Sequence, residues 1–350
     1  MSDLKRDGRS SGRNSLLEMV MNCLGTIREW LEDATVTDIM INRPDDVWVQ
    51  QGGKKFCSGA KISAAQIEAA ITLLASNSGI QVSNESADAI VSTKLPGFRV
   101  EATLPPVAVD GPTIAFRRNN MVVKAMSDWV EQGALPQEVA DVLADTVRRR
   151  LGVAIVGGTG SGKTTFANTL LGCFPPDDRI ITIEQVPELV VKSPNNVRLQ
   201  INPQLKVTAK RLLESVLRQN PDRIVLGEAR GAEANDLLQA ANTGHEGPLV
   251  TLHANNGAEG LNRFEDMVAQ SADAPDSREG IQARIASAFQ VMVFMKLVGD
   301  DRIVAEVVKV DGFDRQSKEY KTTLIYRSSR YETFDVPMLG GDQGELARAA

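Results

Sequence analysis

The chain has 350 residues, more than one ordinary hydrophobic core accommodates, so two domains are expected. Apolar residues make up 42% and charged residues 24%, as in a soluble globular protein, and a net charge of -6 argues against a chain built to grip nucleic acid; no stable DNA binding is expected. Three scattered cysteines, Cys23, Cys57 and Cys173, exclude a disulfide scaffold and a Cys-x-x-Cys zinc site and fit a reducing compartment.

Residues 1–14 are polar and basic and lack the apolar stretch of a signal peptide, which predicts a disordered N-terminus and a cytoplasmic protein. No apolar run reaches the roughly 18 to 20 residues that span a bilayer. Leu16, Leu17, Val20, Met21, Leu24, Ile27 and Leu31 recur at helical spacing and predict a helix over 16–31. Its polar face is not strongly basic, so it is read as packing on its own domain rather than on a membrane. Strands are predicted at 36–41, 46–50, 98–104 and 113–116, interrupted by one helix over 63–78 with Ser63 as its cap. Residues 15–120 therefore read as an N-terminal α+β domain. Gly133 and Pro136 mark 121–136 as a linker, and Val139, Leu143 and Val147 mark a helix that opens the second domain.

From Gly152 the pattern changes. Val153-Ala154-Ile155-Val156 is a continuous apolar run, as in a strand buried on both faces. Further such runs at 179–183, 224–226 and 249–252 alternate with helical segments and predict a parallel α/β sheet over 137–335. Late strands at 291–297 and 303–310 are expected at the edge of that sheet. Residues 336–350 read as a disordered tail.

Four motifs in the second domain carry chemistry. Gly157-Gly158-Thr159-Gly160-Ser161-Gly162-Lys163-Thr164, followed by Thr165, fits G-x-x-x-x-G-K-[ST] between an apolar strand and a helix, and predicts ATP binding. Glycines let the backbone wrap a phosphate, and the helix N-terminus adds oriented N–H groups. Lys163 is assigned to the β and γ phosphates and Thr164 to Mg²⁺. In Arg223-Ile224-Val225-Leu226-Gly227-Glu228-Ala229-Arg230 an apolar strand ends in an acid, as a Walker B strand does, with Gly227 where an aspartate is usual. Glu228 is thus expected to work alone or through Mg²⁺-bound water. In Thr182-Ile183-Glu184-Gln185-Val186-Pro187-Glu188, the acids Glu184 and Glu188 could orient or deprotonate the attacking water; taken alone they read equally well as solvated loop acids. The only two histidines, His245 and His253, flank one strand, with Gly247 and Pro248 between them, and are read as sensing the γ-phosphate from two positions.

Taken in order, these motifs resemble the secretion ATPase superfamily: Walker A, an acidic box, a Walker B strand and a histidine box. The runs 220–231 and 242–255 are most similar to type IV secretion ATPases, and among them to TrbB-type ATPases of plasmid conjugative transfer. The resemblance covers roughly residues 35 to 315. It implies a RecA-like P-loop ATPase domain behind a smaller N-terminal α+β domain, ATP and Mg²⁺ as cofactors, and a homo-hexamer. It also implies docking at the cytoplasmic face of a membrane secretion or conjugation complex, peripheral to the inner membrane. Gly97-Phe98-Arg99 and Ala115-Phe116-Arg117 match the family's phosphate-reaching strand ends, so that role passes to Arg99 and Arg117, with Arg118 as a neighbour and Arg230 as a further phosphate or subunit contact. Gln185 departs from the family's aspartate. The water-activating role is therefore placed on Glu184 and Mg²⁺ or water ordering on Glu228, with the reverse as the alternative. The alternatives at the level of function are a type II secretion or type IV pilus motor, a single-stranded DNA translocase, and a scaffold that binds ATP without hydrolysis.

Overall fold

The computed structural model describes residues 7–77, 89–118, 123–202 and 205–332. The chain divides into two compact units, Met1–Asn120 and Met121–Ala350.

The first unit runs α1 (Asp7–Cys23), a 3-10 turn (Gly25–Ile27), α2 (Arg28–Glu32), β1 (Val36–Arg43), β2 (Asp46–Gln51), β3 (Lys54–Cys57), α3 (Ala64–Asn77), β4 (Ile90–Leu95), β5 (Phe98–Thr103) and β6 (Thr113–Arg118). The strands form one sheet in the order β3-β2-β1-β6-β5-β4, antiparallel at each pairing. Alternation places Ile39 and Ile41, Val47 and Val49, Val100 and Ala102, and Ile114 and Phe116 on one buried face. Leu16 and Val20 of α1 and Ile67, Ile71 and Leu74 of α3 close that core. Two expectations need correction here. The first helix starts at Asp7, inside the stretch read as disordered, because a turn anchored by buried Leu16 and Val20 extends cheaply once nucleated. It also stops at Cys23 instead of running to Leu31, where Gly25 and Thr26, weak helix formers, tighten the chain into a 3-10 turn. Strands β3 and β4 lie outside the strands expected from the sequence. Each residue of β3 is exposed, and β4 buries only Val91 and Leu95, so neither carries a clean period of two.

The second unit runs α4 (Met126–Glu131), α5 (Gln137–Arg148), β7 (Val153–Gly157), α6 (Lys163–Leu171), β8 (Ile180–Glu184), β9 (Asn196–Gln200), α7 (Ala209–Val216), β10 (Arg223–Leu226), α8 (Glu233–Asn242), β11 (Leu249–Leu252), α9 (Gly257–Ala269), α10 (Arg278–Ala288), β12 (Val291–Val298), β13 (Asp301–Asp314), β14 (Glu319–Arg327) and α11 (Ser329–Glu332). Its sheet has the order β14-β13-β12-β7-β11-β10-β8-β9. The six strands from β12 to β9 are parallel; β13 adds antiparallel to β12, and β14 antiparallel to β13. Successive residues of β7 serve two cores. Ala154 and Val156 pack with α7, α8, α9 and α10, while Val153 and Ile155 pack with α4, α5 and α6. Helices thus cover both faces, the arrangement that a parallel sheet requires.

The stretch read as a linker holds α4, and Trp129 of α4 is fully buried. Its indole N–H donates to Thr169 Oγ1 at 2.8 Å and its ring meets Phe166 edge-on at 5.1 Å. Gly133 and Pro136 punctuate two packed helices instead of a free segment. The late strands are also not at the edge: β12 lies inside, parallel to β7, with Val291 to Met295 buried, and β14 is the edge. Residues 336–350 lie outside the described residues.

At the N-terminal edge of this sheet, Arg223 is fully buried. Its Nε donates to Asp178 Oδ2 at 2.8 Å, its Nη2 to the Val147 carbonyl at the end of α5, and its guanidinium stacks over Phe174 at 4.6 Å. Arg150 reaches Asp178 at 2.7 Å and Asp222 at 3.3 Å. Burial alone would push the Asp178 carboxyl up; the hydrogen bonds from Arg223 and Arg150 outweigh it and hold it below its ordinary value. Half of the run 220–231 therefore builds the fold, not the site.

Candidate active site

Parallel register brings four motif ends to the opposite edge of the sheet. Val156 pairs with Leu252, Val250 with Leu226, and Leu226 with Ile183, so the chain leaves β7, β11, β10 and β8 side by side. Ligands of open parallel sheets bind at this carboxyl edge.

The glycine loop leaves β7 at Gly157 and enters α6 at Lys163. A Cβ on Gly157 would stand 2.4 Å from the Met295 carbonyl oxygen, so β12 presses the loop's root directly. Lys163 is buried and folds back on the loop, donating from Nζ to the Gly157 and Gly158 carbonyls at 2.9 and 2.8 Å. Burial pulls its pKa down, and the charge of Glu228 opposes that pull. Ser161 Oγ donates to the Gly158 carbonyl at 2.9 Å. The loop's carbonyls are thus occupied from inside, as a loop that offers its N–H groups to a phosphate requires. Thr164 and Thr165 are half-buried in the first turn of α6. Gly158 and Thr159 also wall an open pocket of about 540 Å³ together with His253, Asn255 and residues of α9.

Glu184 ends β8 and is buried. Its Oε1 accepts from the Glu188 and Leu189 backbone N–H groups at 2.7 and 2.8 Å, while its buried Oε2 has no hydrogen-bond partner among the described residues. Burial raises its pKa against those two hydrogen bonds. Glu188 meets Glu184 through its backbone N–H; the charge of Arg198 also pulls the Glu184 pKa down, and the Glu188 carboxylate pushes it up by less. Asn168 of α6 fixes this loop from below, donating to the Glu188 carbonyl at 3.1 Å and accepting from Val190 N–H at 2.8 Å.

Gly227 has a structural reason to lack a side chain. A Cβ there would lie 2.8 Å from Glu184 Cγ, so the usual aspartate and a buried Glu184 exclude one another. The next residue, Glu228, lies against a cation: Arg230 Nη2 is 2.6 Å from its Oε2, and His253 Nε2 is 2.8 Å from its Oε1, which like Glu184 Oε2 is buried and makes no hydrogen bond among the described residues. Arg230 also donates to the Gln185 side-chain carbonyl at 2.8 Å, tying the acidic box to the Walker B end.

Glu184, Glu228, Arg230, His253 and the loop 157–164 therefore converge. His245 does not: it precedes β11 by four residues and lies at the amino edge, with its Nδ1 buried and unpartnered among the described residues. Four strand residues at about 3.3 Å each separate the two histidines' ends of β11, so sensing one phosphate from both positions does not fit this subunit. In the first unit, Arg99 and Arg117 are direct cross-strand neighbours on β5 and β6. Arg117 is exposed, its Nε 3.8 Å from Asp38. Arg118 faces the other way and is committed to structure. It donates to the carbonyls of Val36, Leu31 and Asp33 at 2.7 to 2.8 Å and stacks on Phe98 at 4.5 Å.

The family model for type II/IV secretion system proteins matches residues 22–323. The chain belongs to this family. Among the secretion-system relatives it is 32% identical to the conjugal transfer protein TrbB of Rhizobium radiobacter over 83% of this chain and 88% of that one. It is 29% identical to the protein VirB11 of Agrobacterium fabrum over 81% and 91%. The Yersinia pseudotuberculosis ATPase DotB shares the fold at a TM-score of 0.58 and 19% identity, over 89% of this chain and 81% of that structure. No described helix of this secretion-family chain is long and apolar enough to cross a membrane. Two residues of the site carry no sequence signal: Asn168, inside an unremarkable helix, and Arg302 of β13, which donates from Nε to the Gly160 carbonyl at 3.1 Å.

Proposed function

We propose that this chain is an ATP-hydrolysing motor of a type IV secretion or conjugative transfer system. In this reading it works as a homo-hexamer on the cytoplasmic face of a membrane complex and powers pilus assembly or substrate transfer. One observation carries the hydrolytic part: a glycine loop closed by Lys163 shares the carboxyl edge of the sheet with a buried carboxylate, Glu184, with one oxygen fixed and the other unpartnered among the described residues.

The residues fit a nucleoside triphosphate and Mg²⁺. The loop 157–164 would hold the phosphates through its N–H groups and Lys163, Thr164 would hold Mg²⁺, and Glu228 would reach the ion through water. When bound, Mg²⁺ neutralises charge on the phosphate oxygens. Glu184, with its raised pKa, is suited to take a proton from the attacking water. Glu228, balanced by Arg230 and His253, is suited to order water and ion. Arg99 and Arg117 follow the resemblance as phosphate contacts; such arginines are worth about 10³ to 10⁵ in rate. Conjugal transfer relatives and the chain's acidic balance favour a motor over a DNA translocase.

The test is turnover by the purified chain. Mg²⁺-dependent phosphate release that Lys163→Ala abolishes, in a protein of unchanged circular dichroism, is the expected result. Normal turnover in that variant sinks the reading, and strong salt-sensitive stimulation by single-stranded DNA transfers it to a translocase.

A further inference from the structure

Lys163 holds the loop from within; the structure assigns a second cation that holds it from outside. We propose that Arg302 is a positioning residue for the phosphate loop, setting how tightly the nucleotide binds rather than how fast it is cleaved. This rests on the nucleotide-binding reading above and deepens it.

The geometry has three parts. First, β13 runs antiparallel to β12, so it starts at the carboxyl edge of the sheet, where Leu297 pairs with Arg302 and Met295 of the intervening β12 pairs with Gly157. Arg302 therefore reaches across the end of one strand to the loop. Second, its Nε donates to the Gly160 carbonyl at 3.1 Å, across 142 residues of sequence. Third, its aliphatic stem lies against Gly162. That residue has φ 94, which favours glycine, and a Cβ there would sit 3.0 Å from Arg302 Cδ and 3.4 Å from its Cβ. The stem thus fills the space that a side chain at 162 would occupy.

The consequence follows from where carbonyls and N–H groups point in such a loop. Gly157 and Gly158 give their carbonyls to Lys163, and Gly160 gives its own to Arg302. With the carbonyls drawn to cations, the intervening N–H groups are left for an anion. Lys163 moves to a phosphate when nucleotide binds, in the role the loop motif gives it. Arg302 stands on a strand outside the loop and keeps its hold on Gly160. The loop's tip is thus preorganised, which lowers the ordering cost of binding.

The experiment compares wild type, Arg302→Met, which keeps most of the stem, and Arg302→Lys, which keeps the charge. Hydrogen exchange of the nucleotide-free protein is read over residues 158–162, together with the Kd for ADP and KM and kcat for ATP. Arg302→Met is expected to exchange faster over 158–162 and to bind ADP about tenfold more weakly, the low end for one charge-assisted hydrogen bond. Its KM rises in step while kcat falls no more than about twofold. Arg302→Lys recovers part of the affinity. Wild-type exchange and ADP affinity in Arg302→Met overturn the inference alone. A wild-type chain that binds no ADP overturns the nucleotide reading and this inference with it.

Discussion

Replacing Gly227 by alanine adds one methyl group directly against Glu184. That carbon would stand 2.8 Å from Glu184 Cγ and 3.5 Å from the Ile183 carbonyl oxygen. Glu184 cannot swing aside freely, because Oε1 is held by two backbone N–H groups at 2.7 and 2.8 Å. Either those bonds break or the loop 184–189 shifts. Overpacking of this kind costs about 1 to 3 kcal/mol. For a unit of this size each kcal/mol is worth about 2 to 4 °C, so Tm should fall by between about 2 and 12 °C. A carboxylate misplaced by about 1 Å costs about 10²-fold in rate. The glycine loop is built on β7 and α6, away from the added carbon, so the Kd for ADP should stay within about twofold. Steady-state phosphate release and ADP titration of Gly227→Ala measure both. Adding Gly227→Ala to Glu184→Gln should slow turnover little further, since the group it displaces is already disabled. Turnover of Gly227→Ala within about threefold of wild type would refute the placement of Glu184 at the chemistry.

The raised pKa of Glu184 predicts an acid limb: kcat falls as pH drops through its raised value, Glu228→Gln keeps that limb and Glu184→Gln loses it, as a pH profile of kcat would reveal. The linkage has a definite sign. The folded pKa lies above the unfolded one, so the carboxyl's contribution to stability declines as pH rises from the unfolded value to the raised folded value, and Glu184→Gln should gain on wild type in Tm above that window. At the other edge, Asp178→Asn leaves the fully buried Arg223 without its carboxylate and should cost about 3 to 5 kcal/mol in denaturant unfolding, with KM for ATP unchanged in whatever protein remains folded.

Strands buried on both faces were legible from sequence because β7, β8, β10 and β11 are short and mostly apolar, with Thr182 and Thr251 the only polar residues between their ends. The loop motif was legible because its chemistry demands fixed spacing. What stayed hidden depends on pairing between distant segments. The exposed edge strand β3 and the partly polar β4 carry no pattern of their own and exist because β2 and β5 offer them a partner. Trp129 reads as one apolar residue in a glycine- and proline-marked stretch until Thr169 and Phe166 are seen around it. Gly227 could be noted only as a missing aspartate; that Glu184 fills the space is a fact about two adjacent strands. Arg118 and Arg117 are neighbours in sequence, but the strand's period of two sends one to backbone carbonyls and the other to the exposed face.

The run that most clearly marks the family, residues 220–231, spans both edges of the sheet and does different work at each. Asp222 precedes β10 and Arg223 opens it, and the two bind the end of α5 to the start of β8 and β10 through Asp178 and Arg150. Gly227, Glu228 and Arg230 sit after β10 and belong to the site. Only three strand residues, Ile224 to Leu226, about 10 Å, separate the two groups. Identity across such a run is therefore weak support for chemistry at any one position, since a buried ion-pair network and a catalytic edge would preserve it equally. The electrostatics discriminate better. Glu228 faces an arginine at 2.6 Å and a histidine at 2.8 Å, so its charge is balanced where it stands. Glu184 is dominated by burial, which disfavours its ionised form; two backbone hydrogen bonds on one oxygen and the charge of Arg198 oppose that, and the charge of Glu188 adds a smaller upward push. Of the two acids, Glu184 is the one whose neighbour at 227 lacks a side chain, and its burial and raised pKa fit the water-activating role proposed for it.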